Sequence, residues 1–312
     1  MTQDLKTLSG APISRYCFGT MQWGGKASAA DSRTMFDDCR AADINFFDTA
    51  HGYTEGASET LLGEFAKQDR DQLFIATKVA STGDCHPDSI TRDFDQCLTR
   101  LDMDYVDMLY LHRWDDSVPL ESTYKAVAKM LESGRARHIG VSNYAAWQVM
   151  KAQAVAHRFS FDIDMIQPMY SLVKRQVEVE ILPMARSEGF AIVPYSPLGG
   201  GLLTGKYASG GDEGRLKHDP MYTVRYGQNW MHKTASELTV IAAELGVSPI
   251  TLAVAWVARN PDVTAPIISA SRASQLRPSL DAMNFDMDDA LYERLTALTP
   301  TPAPATDRSE ES

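Results

Sequence analysis

Several signatures are missing from this sequence, and each absence closes a class of function. No strand-like run leads into GxGxxG, so the fingerprint of a doubly wound dinucleotide sheet is not there. Gly200 to Lys206 reads G-x-x-x-x-G-K, but Tyr207 stands where a phosphate loop needs a hydroxyl for Mg²⁺, which argues against a triphosphatase. None of the 7 histidines pairs with another four residues on around a Glu, and Cys17, Cys39, Cys85 and Cys97 show no CxxC spacing. No metal site or disulfide framework is therefore expected, only thiols kept reduced. Basic charge is short as well: 30 Lys and Arg against 41 Asp and Glu give −11, the wrong sign for a nucleic-acid footprint. No apolar run approaches the ~20 residues of a membrane span, and MTQDLKTLSG lacks the apolar centre of a signal peptide. A cytoplasmic protein with neither membrane nor nucleic-acid partners is the expectation.

What is present is a regular alternation. ISRYCFGT, INFFD, LFIATK, YVDMLYLH, RHIGVS, DMIQ, FAIVPYS and TAPIIS read as strands. Between them lie helical faces: Ile90, Phe94, Cys97, Leu98 and Leu101; Tyr124, Val127, Ala128 and Leu131; Leu238, Ile241, Ala242 and Leu245. Eight strands with helices between them predict an α/β fold, a single (β/α)8 TIM barrel over residues 1–300 with additional helices. Ala208 to Met231, rich in Gly, charge and aromatics, predicts a long loop over the C-terminal mouth of the barrel. Residues 301–312, rich in Pro, Thr and Ser, predict a disordered tail. Oligomeric state has no signature in the pattern.

Three of the strands end on chemistry. Asp48 closes INFFD, Lys78 closes LFIATK, His112 closes YVDMLYLH, and Tyr53 lies in the loop HGYTEG after the first of these. Side chains at the C-terminal strand ends of such a barrel converge on one mouth. Tyrosine is a poor acid, with an ordinary pKa of about 10, and a neighbouring Lys⁺ should pull that value down while a carboxylate holds the lysine. An imidazole beside them can orient a carbonyl oxygen for protonation by the phenol. That set suits carbonyl reduction, which needs a hydride donor.

GTMQWGG, FFDTAHGYTEGASETLLG, the strand ending in Lys78, LYLHRWD, GVSNY, IQPMYS, YSPLGGGLLTGKY and SASRASQL occur in that order. Together they resemble the aldo-keto reductases from about Ile13 to Leu298, most of all the aflatoxin-aldehyde-reductase branch and its bacterial relatives. The resemblance implies Tyr53 as general acid, Asp48 and Lys78 as its support, and His112 as the group that orients the carbonyl. It also implies a cofactor site for NADP(H). Gly19, Thr20 and Met21 would contribute the first loop, and Ser142, Asn143 and Gln167 would hold the nicotinamide carboxamide. Tyr195 would stack on that ring, and Ser196 to Lys206, through Pro197, Leu198 and Gly200, would wrap the pyrophosphate. Ser271, Arg272 and Gln275 would take the adenosine end. An Arg with a hydroxyl neighbour suits a 2′-phosphate, and no Asp or Glu lies between Ser269 and Ser279 to favour NAD. Ser269 and Ser279 depart from the Gly and Asn usual in that pattern.

The partner expected is a small carbonyl compound. Trp23, Trp114, Tyr222 and Trp230 are candidate pocket walls, and Arg225, flanked by Tyr222, Tyr226 and Trp230, is a candidate contact for a carboxylate or phosphate. Two other readings use the same resemblance: a regulatory subunit that binds NADP(H), as the potassium-channel β subunits do, and an NAD-linked sugar dehydrogenase.

Overall fold

A computed structural model describes residues 5–207, 215–306 and 308. Eight strands follow one another: β1 (Cys17–Gly19), β2 (Phe46–Asp48), β3 (Phe74–Val79), β4 (Val106–Leu111), β5 (Ala136–Ser142), β6 (Met165–Gln167), β7 (Ala191–Ile192) and β8 (Ile267–Ile268). Each predicted run overlaps one of them; β3 runs one residue past its run, to Val79, and β5 starts one residue before its own, at Ala136. All pair in parallel, in the order β7-β6-β5-β4-β3-β2-β1-β8. Backbone bonds from Thr264 to Ile192 (2.8 Å) and from Ile267 to Pro194 (2.8 Å) join the two ends, so the sheet closes into the (β/α)8 barrel.

Alternation along each strand sorts side chains into two cores. Phe18, Phe47, Ile75, Leu109, Val141 and Ile166 point outward into the layer of helices. Cys17, Phe46, Phe74, Met108, Tyr110 and Met165 point inward and fill the barrel, with Leu5 of the N-terminal hairpin beneath them. Tyr110 needs room on the next strand, and Gly140 provides it: a Cβ there would lie 2.5 Å from the Tyr110 ring. Continuing the inward set to the strand ends gives Asp48, Lys78, Ser142 and Gln167, all buried. The barrel thus carries an apolar floor and a polar rim, which is where its loops meet.

Helix Pro87–Leu101 buries the five residues of its predicted face. In Leu120–Glu132 Tyr124, Val127 and Ala128 of the predicted face are buried, while Leu131 is only partly so and its neighbour Met130 is buried instead. In Asn229–Glu244 the face ends at Ala242; Leu245 is the C-cap and is exposed, because the chain turns at Gly246 to start Pro249–Arg259. The predicted mouth loop is not all loop. Residues 208–214 lie outside the described residues; the rest holds helices Arg215–His218 and Pro220–Tyr226, the latter started by the Asp219 cap and Pro220, and its last three residues open helix Asn229–Glu244. The tail expectation falls partly outside the described residues too; 301–304 carry no regular structure. All four cysteines are buried thiols. Among the described residues no single helix is long and apolar enough to cross a membrane, and no three His, Cys, Asp or Glu side chains gather as metal ligands.

Candidate active site

The strand ends bring the predicted four residues together. Lys78 Nζ donates to Asp48 Oδ2 at 2.5 Å, to the Thr49 carbonyl at 2.6 Å and to the Tyr53 hydroxyl at 3.3 Å. Gln167 Nε2 donates to the other Asp48 oxygen at 2.9 Å. Both carboxylate oxygens therefore accept, as an ionised group does. The His112 ring stands across Tyr53, nearly perpendicular, with centroids 6.0 Å apart.

Tyr53 is turned towards the mouth by an unusual backbone. Thr54 (φ 46°), Glu55 (φ 56°) and Gly56 (φ 94°) are three successive left-handed residues. For a β-branched threonine that conformation is strained, and it is held by two bonds: Thr54 Oγ1 donates to the Trp23 carbonyl at 2.8 Å and accepts from the Ser58 amide. Glycine suits the third position because its φ of 94° is one that other residues rarely adopt.

Burial dominates the electrostatics. It pushes the Tyr53 phenol above its ordinary 10.0, against the pull of Lys78. The sequence-based expectation of a lowered value is thus reversed, because the desolvated phenolate costs more than one nearby ammonium returns. Burial opposes the charge on Lys78 as well, but Asp48 and Tyr53 together hold it above 10.5. Burial raises Asp48, countered by Lys78 and Gln167. His112 is driven down to about 3, by burial first and then by Lys78 and Arg113. The site therefore presents a neutral imidazole and a protonated phenol backed by an ion pair.

Asp48, Tyr53 and His112 open onto a cavity of about 1300 Å³, with Lys78 behind them. Drug-sized ligands occupy sites of roughly 300–1,000 Å³, so this one has room for a large ligand and a second small one. Ser142, Asn143, Gln167 and Tyr195 meet at one wall. They are knitted to each other: Tyr195 donates to Asn143 Oδ1 at 2.6 Å, and Asn143 Nδ2 donates to Ser142 Oγ and to the His112 carbonyl at 3.0 Å each. Gly19 and Met21 line the cavity, and a Cβ on Gly19 would lie 2.7 Å from Ile267. Thr20 does not line it: fully buried, its hydroxyl is shared between Ser58 and the Asp48 carbonyl, so it braces the β1–β2 ends.

Further along, Ser196, Pro197, Leu198, Gly200 and Lys206 line the cavity. Gly199, Gly200 and Gly201 all have positive φ, forming a tight turn. The amides of Gly199, Gly201 and Leu203 are bonded inside that turn, which leaves fewer of them for a ligand than the glycine run suggested. Ser271, Arg272 and Gln275 line the far end, as does Ser279. Here the fold adds a residue that linear reading missed. Asp31, 242 positions away, accepts the Ala273 amide at 2.9 Å, so an acid stands next to Arg272 although it does not line the cavity. Its one sequence signal was a place three residues after Ser28, the cap of helix Ala29–Ala41.

Trp114, Tyr222 and Arg225 lie on the cavity wall. Trp23 does not. It is fully buried between Phe18 and Phe65, because the loop after β1 folds its ring under the helices. Trp230 is outside the wall too, its indole bonded to Gln228.

Comparison with known proteins gives a consistent result. The model described as the aldo/keto reductase family matches residues 15–300. An uncharacterised oxidoreductase of Bacillus subtilis, YrpG, is 32% identical over 94% of each chain. A probable voltage-gated potassium channel subunit beta of Arabidopsis thaliana is 32% identical over 88% of this chain and 89% of its own. L-glyceraldehyde 3-phosphate reductase of Escherichia coli O157:H7 is 30% identical over 88% of this chain and 86% of its own.

Proposed function

Since the chain belongs to the aldo/keto reductase family, an oxidoreductase family, we propose that it reduces aldehydes or ketones to alcohols with NADP(H), using Tyr53 as proton donor. The observation that carries this is the buried Asp48–Lys78–Tyr53 relay opposite a neutral His112, at the mouth of a cavity larger than a carbonyl substrate needs. The residues present fit a dinucleotide. Ser142, Asn143 and Gln167 offer the donors and acceptors that a carboxamide requires, Tyr195 offers a ring, and Lys206 and Arg272 offer charge for phosphates. When bound, the cofactor supplies hydride to the carbonyl carbon.

The chain's own residues do the rest. His112 Nδ1 is buried with no hydrogen-bond partner, which leaves Nε2 as the ring nitrogen to meet a ligand; in the tautomer protonated there it donates to a carbonyl oxygen. Tyr53 holds its proton across the working range and releases it only as negative charge develops on that oxygen. Lys78 stabilises the phenolate left behind, and Asp48 keeps Lys78 charged and aimed.

The test is NADPH consumption by the purified protein with 4-nitrobenzaldehyde, repeated with NADH. Turnover with neither cofactor overturns the proposal. A second reading draws on the likeness to the plant channel subunit: an NADP(H)-binding module with a regulatory role. Tight NADPH binding without turnover supports that instead.

A further inference from the structure

Helix Ala29–Ala41 opens with an acid that serves more than its own helix. Ser28 is the cap, and Asp31 stands three residues on, where the acid of a capping box turns back to the backbone N–H of the cap. Asp31 reaches elsewhere. Its Oδ2 accepts the Ser28 hydroxyl at 3.0 Å, while its Oδ1 crosses 242 positions to accept the Ala273 amide at 2.9 Å. That amide opens the single turn Ala273–Gln275, and the residue before it is Arg272, extended in backbone (φ −148°, ψ 147°) and exposed. One acid therefore ties the start of the first helix to the segment that follows β8.

Among the described residues no hydrogen bond joins Asp31 to Arg272; the carboxylate acts on the guanidinium through space. The Ala273 amide first, then the Ser28 hydroxyl and Arg272, hold the carboxyl below its ordinary 3.8, so the charge persists across the working range. Arg272, Ser271 and Gln275 line the cavity end assigned above to adenosine, and Asp31 stands off that wall. A phosphate monoester there carries about −1.5 to −2 and meets two opposite charges, the arginine it pairs with and the carboxylate next to it. The Ala273 N–H, next along the chain from Arg272, is already taken by the same carboxylate. A 2′-hydroxyl has no charge for either group to act on. Asp31 thus works on the one feature that separates NADPH from NADH.

We propose that Asp31 sets the cofactor selectivity of this chain: its fixed negative charge partly cancels Arg272, so that NADPH is favoured over NADH by less than a lone arginine would give. This rests on the NADP(H) reading of the cavity. Asp31 acts through Arg272 and the Ala273 segment, and it has two separable roles. The charge repels a 2′-phosphate, whereas the hydrogen bond holds the segment in place for either cofactor. Asp31→Asn removes the charge and keeps an oxygen for the Ala273 N–H; Asp31→Leu removes both.

Calorimetric titration of the full chain with 2′,5′-ADP and 5′-AMP, and then with NADPH and NADH, reads the effect without turnover. Repulsion between a phosphate and one solvated carboxylate several ångströms away is worth roughly threefold to tenfold in affinity at low salt. Asp31→Asn should therefore tighten 2′,5′-ADP and NADPH by that factor and leave 5′-AMP and NADH unchanged. The gap between wild type and variant should close near 1 M salt, where charges are screened beyond about 3 Å. Asp31→Leu should lose affinity for NADH yet keep the raised ratio of NADPH to NADH binding. Equal affinities in wild type and Asp31→Asn overturn the proposal. So does an Asn variant that changes NADPH and NADH by the same factor, which is the mark of a tether alone. A raised ratio in a protein that reduces no aldehyde keeps the proposal and sinks the reductase reading; turnover with an unchanged ratio does the reverse. Binding of neither dinucleotide by the wild type overturns both.

Discussion

Tyr53→Phe separates packing from chemistry, because it removes one hydroxyl and keeps the half-buried ring. The structural loss is small. Lys78 forfeits a long bond of 3.3 Å but keeps Asp48 at 2.5 Å and Thr49 at 2.6 Å, so its charge stays satisfied. One such bond is worth about 1 kcal/mol, and the melting temperature should move by a few degrees at most. The catalytic loss should be far larger. A positioned proton donor contributes roughly 10²–10⁴ in rate, about 3–5 kcal/mol, and no other hydroxyl is bonded to Lys78. The assay is kcat from the loss of NADPH absorbance with a neutral aromatic aldehyde, alongside the dissociation constant for NADPH by fluorescence quenching. Unchanged affinity with kcat down by about a hundredfold or more is the expected result. A variant that turns over like wild type would refute the reasoning, since the phenol would then be a wall and not an acid.

The barrel was legible because its signal is repeated eight times. Each apolar run marks one strand, and inward alternation carries Asp48, Lys78, Ser142 and Gln167 to one rim. Tyr53 and His112 were legible through their distance from those strand ends. What failed depends on directions that a linear pattern does not hold. Trp23 sits one loop away from the site, yet its side chain points under the helices and not into the mouth. Thr20 has the right address and the wrong face. The Tyr53 value was misjudged because charge neighbours can be read from a sequence, whereas the depth of burial that outweighs them cannot. Asp31 was invisible for the same reason as any contact across 242 positions: nothing in its neighbourhood points to Ala273.

Three further outcomes follow from the same geometry. Lys78→Met leaves Asp48 charged and buried without its partner, which should lower stability by about 3–5 kcal/mol; adding Asp48→Asn should recover much of the stability and none of the rate, by thermal melts and kinetics in parallel. Arg272→Ala should weaken NADPH by about tenfold to a hundredfold and NADH much less, and equal losses in a binding titration would remove Arg272 from the 2′-phosphate. The last concerns pH, where His112 decides the sign. Its folded value, about 3, lies below the ordinary 6.5, so between those limits the unfolded chain binds the proton and the folded chain does not. The stability this ring contributes is therefore complete above pH 6.5 and lost as pH falls towards 3. Acid titration of the melting temperature should be shallower for His112→Gln than for wild type. In the kinetics, an imidazole already neutral gives no limb near 6.5 in kcat/KM for a neutral aldehyde, and the basic limb lies above 10.0, where Tyr53 ionises. A break at 6.5 that vanishes in His112→Gln would show the ring titrating as if in water, and the buried, cation-flanked imidazole on which the carbonyl-orienting role depends would have to be given up.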